Sequence, residues 1–217
     1  MADLGRLRDS MLEIGRRIHQ QGLNRSLDGN LSVRVGPDCY LLTCSLVNKG
    51  FLTAADLPLV DGLGRLLDGQ RAPSSEYRLH LRIYEARPEV GAIIHAHAPW
   101  ATACTLAGLD LTRLVLTESP YFVGPVPTAA LETPGTEAFA RAAVTALGSA
   151  KALLLERHGC VTLGADLEEA YQRLEGLEHV ASILFRCRDL NLPEIVGAQR
   201  EALKAELLRR GLPWEYK

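Results

Sequence analysis

The chain has 217 residues, 47% apolar and 23% charged, a balance suited to one globular domain, spanning 1–217, with a substantial core. Twenty-four basic residues stand against 26 acidic ones, a net charge of −2, so no basic excess is available to grip a nucleic acid backbone. No apolar run reaches membrane-spanning length, and Met1-Ala2-Asp3-Leu4-Gly5-Arg6 lacks the apolar core of a signal peptide, so a cytoplasmic protein without membrane contact is expected. The cysteines Cys39, Cys44, Cys104, Cys160 and Cys187 form no CxxC pair, which points to reduced, mostly buried thiols rather than a cysteine zinc site.

Leu4, Leu7, Met11, Ile14 and Ile18 recur at three- and four-residue steps and predict a helix that Gly22 can end. Leu31, Val33 and Val35 alternate with polar residues as a strand does, and Gly36-Pro37-Asp38 reads as a turn into a second strand, Cys39 to Thr43. Tyr77 to Ile83 is ambiguous. Its apolar residues have strand period, yet Ser74 and Ser75 are good helix caps and Arg87-Pro88 is a stop, which favours helix. Val90 to His97 is apolar and β-branched, a buried strand, and Pro99 opens a helix to about Ala107. Ala138 to Leu147 reads as helix, and Ala152–Leu155 and Cys160–Leu163 as short strands around His158-Gly159. Asp166 with Glu169 resembles a capping box before a long amphipathic helix reaching Phe185, and a last helix covers roughly Glu194 to Arg210. Hairpin-spaced strands with flanking helices predict an α+β layered domain with a largely antiparallel sheet.

Residues two apart in a strand face the same side, so His95 and His97 would present both rings to one face. Taken alone, the pair is weak evidence for a metal and reads more readily as two histidines packed beside Trp100 with hydrogen bonds to the backbone. His158, before a glycine at a strand end, supplies a third imidazole, and three imidazoles suit a catalytic metal centre with an open position. His19, His80 and His179 lie among charged residues in helical stretches and read as surface histidines. Glu76 is the candidate base, its alternative being a cap or dipole partner at a helix start. Ser74 and Ser75 are either caps or part of an anion-binding helix N-terminus, and Gly29-Asn30 either adds donors or is only a turn.

These residues carry a resemblance. Gly29-Asn30-Leu31-Ser32-Val33-Arg34, Pro73-Ser74-Ser75-Glu76, Val90 to His97, Pro134-Gly135-Thr136, Arg157-His158-Gly159 and Asp166-Leu167-Glu168-Glu169-Ala170 together resemble the class II aldolase/adducin family, its fuculose-phosphate aldolase members in particular. The resemblance implies an αβα three-layer sandwich, a homotetramer with interfacial active sites, and a sugar-phosphate substrate cleaved or formed through a metal-stabilised enediolate. It implies a divalent ion, zinc before manganese or cobalt, on His95, His97 and His158. Glu76 looks like the acid/base residue and a further ligand of the resting metal. Asn30, Ser74 and Ser75 match positions that hold phosphate, and Gly29, Thr43 and Ser45 complete that candidate set.

Three departures stand out. Thr43-Cys44-Ser45-Leu46 replaces the common Thr-Pro-Ser/Thr-Gly, putting Leu46 where a glycine wraps the phosphate. Two interfacial tyrosines of the fuculose enzyme align with Leu116 and Arg210, while Tyr121 and Tyr216 lie nearby, which makes Tyr121 the candidate proton donor. Pro120 occupies the place of an acidic residue of the related epimerases and argues against epimerase chemistry. Related decarboxylase or dehydratase chemistry is the alternative, and a non-catalytic adducin-like module the more distant one.

Overall fold

The computed structural model describes residues 4–216. Chain order brings α1 (Leu4–Gln20), the hairpin β1 (Asn30–Gly36) and β2 (Cys39–Leu42), then two short strands, β3 (Leu59–Val60) and β4 (Leu66–Asp68). There follow α2 (Tyr77–Ala86), β5 (Ala92–Ala96), α3 (Pro99–Leu106), the single turn α4 (Ser119–Phe122) and β6 (Thr128–Ala129). The chain continues through α5 (Glu137–Leu147), β7 (Ala152–Leu155), β8 (Gly159–Gly164), α6 (Leu167–Arg186) and α7 (Gly197–Arg209).

The strands form one eight-stranded sheet in the order β4-β3-β2-β1-β5-β8-β7-β6. Every pairing is antiparallel except β6 with β7. Strand alternation sorts the central apolar side chains onto two faces. Leu31, Val33, Leu41, Ile94 and Leu154 pack under α1, α3 and α6, and Leu42, Ile93, Leu153, Leu155 and Val161 pack under α2 and α5. The expected three layers are therefore present, with a core on each side of the sheet.

The doubtful segment Tyr77–Ala86 is a helix, because Leu79, Ile83 and Tyr84 bury one stripe against the sheet while Arg78, Arg82 and Glu85 stay in water. Asp166 caps α6 by accepting from Glu169 N–H, while the Glu169 carboxylate reaches back to Ala165 N–H rather than to Asp166. β3, β4, β6 and α4 are too short for periodicity to announce them.

Candidate metal centre

β1 and α2 lie face to face and build one wall. Alternation turns Asn30, Ser32 and Arg34 toward α2. The helix presents Glu76, His80 and Tyr84, each four residues on, toward β1. Two residues of strand rise about 6.7 Å and four residues of helix about 6 Å, so the two ladders stay in step. Asn30 Nδ2 donates to Glu76 Oε2 at 2.7 Å, and Arg34 Nη2 donates to the Tyr84 carbonyl at 2.9 Å.

Asn30 also pairs across β1 and β5 with His95, which sets the Glu76 carboxylate beside that ring. β5 ends at Ala96, one residue short of expectation, yet His97 keeps the period, its N–H held by Asn24 Oδ1 at 2.8 Å. His158 arrives on the turn between β7 and β8, where Arg157 takes a left-handed φ of 58°. Gly159 makes the approach feasible: a Cβ there would lie 2.3 Å from the Ala96 carbonyl oxygen.

The three Nε2 atoms form a nearly equilateral triangle. His95–His158 is 3.2 Å, His95–His97 3.1 Å and His97–His158 3.1 Å. Nitrogens held tetrahedrally on one ion at about 2.0–2.1 Å stand about 3.3 Å apart, so the triangle is preformed to within a few tenths of an ångström. His95 Nδ1–H donates to the Cys160 carbonyl at 2.9 Å, which frees the Nε2 lone pair for the centre. The Glu76 oxygens complete the set, Oε2 3.3 Å from His95 Nε2 and Oε1 3.4 Å from His158 Nε2. Oε1 is buried without a hydrogen-bond partner. An orphaned carboxylate oxygen facing three convergent imidazole nitrogens is a donor set that fits a divalent cation. Among the described residues this is the one group of three such side chains with ligating atoms mutually within 4.8 Å.

Electrostatics agree. Burial holds His97 down to about 3 and His158 to about 4, reinforced by the charge on His95, so both rings are neutral at pH 7, the form a metal ion requires. Burial would push Glu76 up, but the charge and hydrogen bond of His95 and the Asn30 amide hold its carboxyl well below the ordinary range. Burial likewise pulls His95 down, but the Glu76 carboxylate outweighs it and raises the ring above its ordinary value.

Glu76 occupies the N-cap position of α2 but caps nothing, so the capping reading of that residue fails. The anion-binding helix N-terminus fails in part. Ser74 N–H goes to the Thr43 carbonyl, Ser75 N–H to Ser45 Oγ and Glu76 N–H to Ser74 Oγ, so those amides are already committed. A cavity of about 330 Å³ opens beside the triangle, lined by Gly29, Asn30, Ser45, Leu46, Lys49, Ser74, Ser75, Glu76, His97 and His158. Thr43 is not on it. Its hydroxyl accepts from Leu31 N–H and the residue is fully buried, so it braces Ser74 from behind. Tyr121 is not on it either. It lies on α4 in a separate cleft under the Arg210 guanidinium, and so is no part of the site of its own chain.

Leu46 follows the glycine-like path, φ 59°, despite its side chain, which stands 77% exposed at the cavity mouth. Two buried titratable residues near the triangle escaped the sequence reading. Lys49 is buried, its Nζ bonded to the Leu27 and Val47 carbonyls at 3.1 and 2.6 Å, and burial lowers its pKa. Nothing in its local pattern marks it. His80 is not a surface residue but fully buried, and its spacing of four from both Glu76 and Tyr84 was the available signal. His179 is exposed as expected, and His19 is half-buried against Phe51.

The chain is 34% identical over 192 residues to the 5-methylthioribulose-1-phosphate/5-deoxyribulose-1-phosphate aldolase of Rhodospirillum rubrum, covering 88% of this chain and 86% of that protein. It is 33% identical over 189 residues to the 3-oxo-tetronate 4-phosphate decarboxylase of Haemophilus influenzae, covering 85% and 89%. Among solved structures, an L-fuculose 1-phosphate aldolase superposes with a TM-score of 0.86 at 27% identity, over 96% of this chain and 98% of that one. The fuculose enzyme is thus matched closely in shape, while both sequence relatives are more alike in residues. Residues 9–185 match the Class II Aldolase and Adducin N-terminal domain family, and the chain belongs to it.

Proposed function

We propose that the chain is a metal-dependent lyase that breaks and forms a carbon–carbon bond of a phosphorylated ketose. The observation that carries this reading is the triangle of Nε2 atoms closed by an unpartnered Glu76 oxygen. His95, His97 and His158 would hold a divalent ion, zinc before manganese or cobalt, with Glu76 as a further ligand until substrate enters. When bound, the ion supplies Lewis-acid stabilisation of the charge that develops on a substrate oxygen as the bond breaks.

The chain's own residues do the rest. Glu76 takes the proton from the carbon beside the carbonyl in the synthetic direction and returns it in cleavage. Ser45, Ser75 and the Gly29-Asn30 turn face the cavity as hydroxyl and backbone partners for a phosphate. Lys49, with two of its three donors spent on carbonyls, brings the positive charge. The left-handed backbone at Leu46 supports a preserved phosphate loop despite the missing glycine. The assembly is a homotetramer with interfacial centres, in which Tyr121 would serve the site of a neighbouring subunit. The exposed Leu27, Leu46 and Phe51 offer apolar surface for such contacts.

A second reading, decarboxylation of a 3-keto sugar-acid phosphate, is favoured by the 33% identity to such an enzyme. Both reactions leave the same enediolate and would use the same ion and Glu76, but only the aldol reaction needs a proton donor for the departing aldehyde. Screening dihydroxyacetone phosphate with a panel of aldehydes, and keto-acid phosphates for carbon dioxide release, separates them. Activity that a chelator abolishes and metal restores is the expected result. No turnover in either screen by metal-loaded protein would overturn the proposal.

A further inference from the structure

Behind Glu76 lies a chain of buried polar groups that the chemistry above leaves unused. Tyr84 OH stands 2.9 Å from Ser32 Oγ, which is 2.6 Å from His80 Nδ1. His80 Nε2 is 2.5 Å from Asn30 Oδ1, and Asn30 Nδ2 is 2.7 Å from Glu76 Oε2. Ser32 and His80 are fully buried, Tyr84 is 1% and Asn30 3% exposed. Burying four polar side chains in an otherwise apolar layer is costly unless each bond is made.

The direction of every bond follows from one end. A carboxylate accepts only, so Asn30 gives Glu76 its amide N–H and turns its carbonyl oxygen to His80. That oxygen accepts only, so His80 carries its proton on Nε2 and leaves Nδ1 bare. Nδ1 must then accept from the Ser32 hydroxyl, whose oxygen accepts from Tyr84 O–H. All the dipoles point toward Glu76. An imidazolium would break the sequence at Ser32, and burial keeps the His80 ring neutral, down to about 3.

We infer that Tyr84, Ser32, His80 and Asn30 form a one-way hydrogen-bond relay that fixes the Glu76 carboxylate, occupying Oε2 and reserving Oε1 for the reacting proton and the ion. The inference rests on the proposed acid/base role of Glu76. The relay passes no proton, since the Asn30 amide cannot hand one along. His80 is a positioning residue. Without it the Asn30 amide is free to flip, and its carbonyl oxygen would then oppose the carboxylate. Asn30, read from sequence as a phosphate holder, acquires a second task on its other side.

The test is twofold. In ¹⁵N-histidine-labelled protein, with His80 assigned from the His80→Gln variant, long-range proton–nitrogen spectra should show Nε2–H and a bare Nδ1, unchanged between about pH 5 and 8. An Nδ1–H tautomer, or a ring that titrates in that range, would overturn the relay. In steady-state kinetics, His80→Leu should lower kcat about 10–100-fold, the usual loss on removing an orienting partner, with KM and bound metal unchanged. His80→Gln, which keeps one donor and one acceptor, should retain wild-type kcat. A fully active His80→Leu, or a Gln variant as impaired as Leu, would refute the positioning role. If His80→Leu does not fold, the tautomer in the unaltered protein still decides. Absence of lyase activity would sink the functional reading alone, because the spectra do not depend on it.

Discussion

Gly159→Ala tests how tightly the third imidazole is held. The added Cβ would stand 2.3 Å from the Ala96 carbonyl oxygen, whereas carbon and oxygen in neighbouring strands come no closer than about 3.3 Å. The start of β8 must therefore retreat about 1 Å from β5. Backbone of a central strand cannot swing aside as a flexible side chain would, so overpacking should cost about 1–3 kcal/mol. Gly159 lies outside the left-handed region, so crowding alone is responsible. His158 is the preceding residue. A 1 Å displacement stretches its 3.1–3.2 Å nitrogen separations toward about 4 Å, near the limit an ion bonding at about 2.0–2.1 Å can span. Metal affinity should fall by at least about tenfold. Urea denaturation of the metal-free variant and calorimetric zinc titration read the two effects separately. A variant matching the parent in both midpoint and affinity would refute the account of how the centre is built.

Glu76→Gln should keep its metal and lose at least about a hundredfold in turnover, measured by single-turnover kinetics on zinc-loaded protein. His158→Ala should drop bound metal, by elemental analysis, far below the one ion per chain expected of the parent; full occupancy would remove His158 from the ligand set. Lys49→Met should raise KM for a phosphorylated substrate about tenfold or more, as for a lost charged hydrogen bond, while kcat changes little; an unchanged KM would make Lys49 a brace only. Stability of the metal-free protein should decline on acidification. His80 and His97 titrate near 3 and His158 near 4 in the fold, against 6.5 when unfolded, so below pH 6.5 the unfolded chain binds more protons. The contribution is complete above pH 6.5 and shrinks by up to about 1.4 kcal/mol per pH unit for each ring as pH falls. His95, shifted upward, alters the slope only above 6.5. Equal urea midpoints at about pH 7 and pH 5 would contradict these environments.

Most of the layering was legible because it follows from periodicity. Leu41 against Leu42, and Ile93 against Ile94, fall on opposite faces as strand alternation requires. The convergence of the three imidazoles was legible because their spacing and the glycine after His158 carry a geometric reason. What escaped was contact across elements. His80 sits among arginines in sequence, and only the docking of α2 on β1 shows that its side of the helix is the buried one. Lys49 was invisible for the same reason, since the carbonyls that hold it come from two loops. Thr43 was misjudged because a hydroxyl next to a cavity and one turned into the backbone read identically. That Tyr121 enters a separate cleft of its own chain was illegible too, because closeness in sequence to an expected position says nothing about which cleft a side chain enters.

The imidazole of His158 lies sixty-three positions downstream of His95. During synthesis, Glu76, His95 and His97 leave the ribosome well before their remaining partner. A divalent ion that needs all three rings would therefore be held only after β8 has zipped onto β5, so its retention would report that the central strands have paired.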